Sequence, residues 1–188
     1  MAKIGVNNFR YGFLTESSEG VPSYGVAKTP GAAVSFNVSV SSNDAKLYAN
    51  DGLQESDTSF SGGTATMGVD RYDYQTQADL LGHTYNEETG LVRNANDTAP
   101  YVGVGRVVTE MVDGSYQYRV EFLNKVKFAE PSQEDSTKGE SVEFNTFEME
   151  GTVAQCGNGA WSNSQTFTTK AAAISYLEGL FGTAPVSV

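Results

Sequence analysis

Residues 101–112 and 115–128 are two long runs of β-forming residues, and only the dipeptide Asp113-Gly114 separates them. Asp-Gly supplies the two consecutive positive φ angles of a type I′ turn, so the segment reads as a β-hairpin with a two-residue connection. Such a connection leaves no slack in the register, because Val112 must face Ser115 and every further pair follows. The pairing sets Met111, Thr109, Val107 and Gly105 opposite Tyr116, Tyr118, Val120 and Phe122 on one face. On the other face Arg106 stands opposite Glu121, and Arg119 is diagonal to Glu110. One face is apolar and the other complementary in charge, as cross-strand pairs prefer. The polar face is expected to continue through Lys125 and Lys127 and to be solvated or to line something wet; Tyr116 and Tyr118 read as core.

The rest of the chain reads mainly as strand. Residues 32–40 place Ala32, Val34, Phe36, Val38 and Val40 on one parity and Ala33, Ser35, Asn37 and Ser39 on the other, the alternation of a half-buried strand. Further strands are predicted at 3–14, 64–69 and 141–156, the last with a bulge near Asn145-Thr146 where the apolar parity slips. A turn at Gly157-Asn158-Gly159 leads to a short strand over 161–167. Helices are predicted at 75–81, stopped by Gly82, and at 170–181, with Thr168 or Thr169 as N-cap and Gly182 beyond the C-terminus. Ala173, Ile174, Leu177, Leu180 and Phe181 give the second helix an apolar face for the sheet. Segments 41–63 and 130–140 are rich in Ser, Asp, Glu, Asn and Gly and read as loops, the first unusually long. The expected architecture is one mainly β domain over 1–188, an antiparallel β-sandwich with a long hairpin, a short flanking helix and a C-terminal helix.

Chemistry is constrained by what is scarce. The 188 residues carry 12 Lys+Arg against 23 Asp+Glu, a net charge of −11, which argues against a nucleic-acid reader that works by neutralising phosphates. One Cys, Cys156, excludes an intramolecular disulfide and a Cys-rich zinc site. One His, His83, follows a predicted helix end and reads as structural or merely exposed rather than as the base of a triad. Gly103-Val104-Gly105 lacks the third glycine and the strand-turn-helix context of a dinucleotide loop. Carboxylates cluster at Asp70, Asp73, Glu87-Glu88 and 130–140, but none has the spacing of a calcium loop, and their ordinary fate is a solvated face. No stretch approaches the ~20 apolar residues of a membrane span and no secretory signal is evident, so the Asn-x-Ser/Thr matches at Asn37 and Asn96 carry no weight. No catalytic centre, cofactor or metal is expected.

Long polar blocks carry a more specific signal. MAKIGVNNFRY, NDAKLYANDGLQESDTSFSGGTATMGVD, LLGH, NANDTAPYVGVGRVVTEMVDGSYQYRVEFLNKVKFAEPSQEDSTKGESVEF and TFTTKAAAISYLEGL resemble, in that order, the major tail (tail tube) proteins of siphoviruses infecting Gram-positive bacteria. The resemblance spans nearly the whole chain and departs from the family pattern at 70–77 and 183–188. It implies a β-sandwich subunit made in the host cytoplasm and assembled into homo-hexameric rings. The rings stack into a hollow tail tube that meets tape measure and terminator proteins, and DNA leaves the capsid through the lumen without specific binding. On this reading 41–63 is an inter-ring or inter-subunit loop, with Leu47, Tyr48, Leu53 and Phe60 as apolar anchors and Asp44, Asp51 and Asp57 among its polar groups. Arg106, Glu110, Arg119, Glu121, Lys125 and Lys127 form a polar ribbon face that is a candidate lumen lining, the lysines being offset by Glu121, Glu130 and Glu143. The alternatives are an acidic β-sandwich carbohydrate-binding or adhesin-type module and, more remotely, a hydrolase with paired acids.

Overall fold

The computed structural model describes residues 2–49, 52–132 and 147–182. In chain order these form β1 (Ala2–Glu16), β2 (Pro22–Tyr24), β3 (Ala33–Ser42), β4 (Ala45–Ala49), β5 (Gly52–Asp57), β6 (Phe60–Val69), α1 (Tyr74–Leu81) and β7 (Thr84–Asn86). There follow β8 (Gly90–Val92), β9 (Val102–Val112), β10 (Ser115–Phe128), β11 (Phe147–Val153), β12 (Ser162–Phe167) and α2 (Lys170–Gly179). The fold is mainly β and antiparallel, with two helices among the described residues.

The β9–β10 hairpin is its spine. Asp113 and Gly114 have φ of 49° and 79°, and Val112 pairs with Ser115, Met111 with Tyr116 and Arg106 with Glu121. A Cβ on Gly114 would meet nothing within 4 Å, so the glycine serves the backbone alone. Gly114→Ala should therefore cost about 1 kcal/mol in urea unfolding through the left-handed conformation; an unchanged midpoint would show that the turn tolerates a side chain.

The register holds from the turn to Leu123 opposite Val104 and then slips, so that Val126 faces Val102. Two residues of β10 oppose one of β9, the arrangement of a β-bulge. The slip exchanges the faces of everything beyond it, which corrects one expectation. Lys125 and Lys127 do not continue the face of Arg106 and Glu121; both lie over the ring of Tyr101 on the opposite face, at 4.8 and 5.4 Å from its centroid.

The same strand lets the sheet branch. Residues 118–123 of β10 pair with β12 and residues 126–128 with β11, and the sheet runs β2-β1-β9-β10-β11-β6-β3. The β11-β6-β3 half folds over the β1-β9-β10 half around a core that includes Phe9, Tyr11, Met67, Val69, Val104, Leu123, Val126 and Met149. Phe9 of β1 meets Phe36 of β3 edge to face at 5.5 Å, joining the two layers. On the outer face, α2 seals a second core of Val107, Val120, Phe122, Ala173, Leu177 and Phe181. The glycines that superficially suggested a nucleotide loop have a packing reason. A Cβ on Gly105 would lie 2.3 Å from Leu177 Cδ1, and one on Gly103 would lie 2.4 Å from the Tyr24 ring.

Helix α2 begins as read and α1 one residue earlier, both with side-chain caps. Asp73 Oδ1 accepts the Thr76 N–H at 2.6 Å and Thr169 Oγ1 the Ala172 N–H at 3.3 Å, while Gly82 at φ 77° closes α1. Helix α2 ends earlier than expected, at Gly179. Gly182 is not its left-handed cap: its N–H donates to the carbonyls of Tyr24 and Gly25 and binds the chain end to the sheet.

Segment 41–63 is not a loop. It contains the end of β3, the antiparallel hairpin β4–β5 and the start of β6, and the hairpin is a two-stranded sheet of its own. The β3 alternation also fails at its ends. A register shift between Ala33 and Ser35 leaves Val34 exposed, Val40 is exposed as well, and Phe36 and Val38 face the core. Tyr116 and Met111 are exposed too, because α2 covers only the part of the ribbon nearer Tyr118. The predicted bulge at 145–146 and most of the 130–140 loop lie outside the described residues.

Candidate functional site

Two members of the predicted polar ribbon face are interior and two are half-buried. Arg106 and Glu110 are 7% and 2% exposed, and the Phe36 ring of β3 lies over the Arg106 guanidinium with its centroid 4.1 Å away. Arg106 Nη2 donates to Glu121 Oε2, and Arg119 Nη2 reaches both Glu121 Oε1 and Glu110 Oε1 at 2.8 Å. The four side chains form one chain of alternating charge across the hairpin. Burial pushes the Arg106 guanidinium down to about 10, with Arg119 adding like-charge repulsion and Glu121 opposing both, so Arg106 stays charged at neutral pH. Among the described residues Arg106 Nη1 and Arg119 Nε have no acceptor. The face of Phe36 takes the place of one for Arg106. This arrangement fixes strand register, and Arg106 and Glu110, being buried, are removed from the candidate lumen residues.

The lysines of that group serve other contacts. Lys125 Nζ donates to Glu16 Oε2 at 2.6 Å, and Glu16 Oε1 accepts the Gly157 N–H at 2.8 Å. These bonds hold the Glu16 carboxyl below its usual range and raise the Lys125 ammonium. Burial, reinforced by Glu16, pushes the neighbouring Cys156 thiol up, the reverse of what a nucleophilic cysteine requires.

His83 has partners that no local pattern announces. Its side chain is buried, Nδ1 is 2.7 Å from Asp97 Oδ2, and Nε2 contacts Glu130 Oε1. With a carboxylate on each ring nitrogen the imidazole has no free nitrogen to act as a base on a substrate. It ties the end of α1 to residues 94–97 and to the end of β10. The Asn94 N–H, then His83, holds the Asp97 carboxyl below its usual range. Among the described residues no group of three or more His, Cys, Asp or Glu is placed to hold a metal ion, and no helix is long and apolar enough to cross a membrane.

The predicted inter-ring group is dispersed. Asp44 pairs with Lys46 at 2.9 Å just before β4. Leu47 and Tyr48 lie on β4 and Leu53 on β5, where Leu47 faces Glu55 and Tyr48 faces Leu53 in the ladder. Tyr48 is 66% exposed, and Asp51 lies outside the described residues. Asp57 accepts the Ser59 N–H at 2.9 Å, which together with the Ser59 hydroxyl holds its carboxyl below the usual range. Phe60 is no external anchor: it stacks on Trp161 within the subunit, centroids 4.5 Å apart and rings 5° from parallel.

What the structure offers instead is a set of free strand edges. β2, β3 and β12 are the ends of the main sheet. β2 is protected by its three-residue length and Pro22. β3 and β12 read AVSFNVSVSS and SNSQTF, with no charge, proline or glycine in either, and residues 162–166 of β12 are all exposed. Natural proteins usually blunt such edges with charge or proline, because each is a template for another strand. The β4–β5 hairpin adds a projection that pairs only with itself, and an isolated two-stranded hairpin is marginal in water without something to pack against. No protein-family model and no curated protein matches the chain.

Proposed function

We propose that this chain is the structural subunit of a long-tailed phage's tail tube, assembling as homo-hexameric rings that stack into a hollow conduit for DNA. The observation that carries the reading is the pair of unguarded edges, β3 and β12, on one sheet. Two different edges that fit each other make a heterologous, head-to-tail contact, which closes into a ring when the rotation permits. Closure also removes the edges, as in any barrel. The exposed β4–β5 hairpin, with Tyr48 displayed, supplies the contact between stacked rings. Tape measure and terminator proteins are the partners this role requires at the lumen and tube end. The subunit does no catalysis and holds no cofactor.

The charge of −11 suits a conduit, since a basic lumen would retain phosphates. Lys125 and Lys127, the chief objection on sequence grounds, are engaged with Glu16 and Tyr101. Duplex DNA titrated into the protein at physiological salt and followed by anisotropy should bind more weakly than the ~10⁻⁴ to 10⁻⁶ M of non-specific DNA-binding proteins. Micromolar binding with a steep salt dependence would overturn the passive-conduit reading.

A further inference from the structure

We infer that the cleft between residues 29–31 and the first turn of α1 binds a neutral saccharide. The cleft has a volume of about 600 Å³, and Pro30, Gly31, Arg71, Asp73, Tyr74 and Tyr85 line it. That size falls within the ~300–1,000 Å³ of small-molecule sites. Tyr74 is 57% exposed and meets Tyr85 at 6.2 Å between centroids and 39° between planes. The pair makes an angled aromatic corner, which presents ring faces to the C–H surface of a sugar but is too open to sandwich a flat base.

The polar groups around this corner suit hydroxyls. Arg71 and the phenol oxygens of Tyr74 and Tyr85 have no partner among the described residues. Asp73 uses Oδ1 to cap α1 and Gln75 gives its amide N–H to Asp79 Oδ1, which leaves acceptors on both side chains. Donors and acceptors are therefore both present on the cleft lining, and a sugar hydroxyl is both. A phosphate or nucleotide is disfavoured by the Asp73 carboxylate at the rim, with Asp70 three positions earlier in sequence.

The walls are fixed before any ligand arrives. Asp70 Oδ1 accepts the Ala32 N–H at 2.8 Å, and Tyr72 OH donates to the Met67 carbonyl at 2.8 Å. Gly31 is required where the walls meet, since its φ is 148° and a Cβ there would lie 2.6 Å from the Arg71 carbonyl oxygen. None of these residues belongs to the β3 or β12 edge, so the inference stands apart from the assembly reading.

Saturation-transfer NMR and chemical-shift titration of the full chain with maltotriose, cellotriose and tri-N-acetylchitotriose test it. At least one trisaccharide should bind at up to about 10 mM, with Tyr74→Ala and Arg71→Ala each weakening it about tenfold or more. Tyr116→Ala, which removes an equally exposed tyrosine elsewhere, should leave binding unchanged. Circular dichroism shows whether the variants fold, and Tyr74→Phe, which keeps the ring, should retain stacking. Absence of binding by all three sugars, equal loss in Tyr116→Ala, or tighter binding of adenosine monophosphate than of any sugar would overturn the assignment.

Discussion

Glu121→Ala should lower the unfolding free energy by about 3–5 kcal/mol. The cost does not come from the lost attraction alone. Arg106 is 7% exposed and Glu121 is its carboxylate partner, so truncation leaves a guanidinium under Phe36 with nothing to balance it. Arg119 also loses one of its two carboxylates. For a chain of this size the loss corresponds to a fall in melting temperature of about 10 °C. Removing both members of the pair gives the opposite expectation. Arg106→Met with Glu121→Leu fills the same space without a buried charge and should be neutral or stabilising. A small effect of Glu121→Ala would mean that water reaches Arg106 and that the ribbon face is wet after all.

Ser164→Lys combined with Thr166→Lys should leave the subunit folded and stop its assembly. Both residues are exposed and pair on one side only, Ser164 with Glu121 and Thr166 with Arg119. Surface substitutions of this kind usually change stability by within about 0.5 kcal/mol. A strand approaching the free side of β12 would have to accommodate two added ammonium groups, the device by which natural edges repel partners. Under conditions where the parent forms rings or tubes the variant should sediment as a monomer, while Val92→Lys on β8, away from both edges, should assemble normally. Assembly of the β12 variant at the parent's concentration would remove that edge from the account.

What could be read in advance divides by range. The hairpin register was legible because a two-residue turn admits only one pairing; the end of the first helix was legible from Gly82 and the start of the second from the Thr168-Thr169 cap, whereas the Asp73 cap was passed over as one more surface carboxylate. The bulge at 124–125 was not, since Leu123 and Val126 are apolar whichever face each takes. Burial of Arg106 depends on Phe36, seventy positions away, and the His83 cross-link on Asp97 and Glu130 at separations of 14 and 47 residues. No local periodicity encodes such partners. The β4–β5 hairpin was misread because its strands lack a clean alternation. The unguarded edges are features of sheet order, which appears only when the strands are placed.

Electron microscopy of the concentrated, purified full-length chain tests the central claim most directly. Head-to-tail closure along β3 and β12 predicts rings with six-fold symmetry or hollow tubes built from them, with a β3 strand of one subunit beside β12 of the next in averaged images. Particles that remain single subunits at every concentration, or that pair symmetrically as closed dimers, would contradict it.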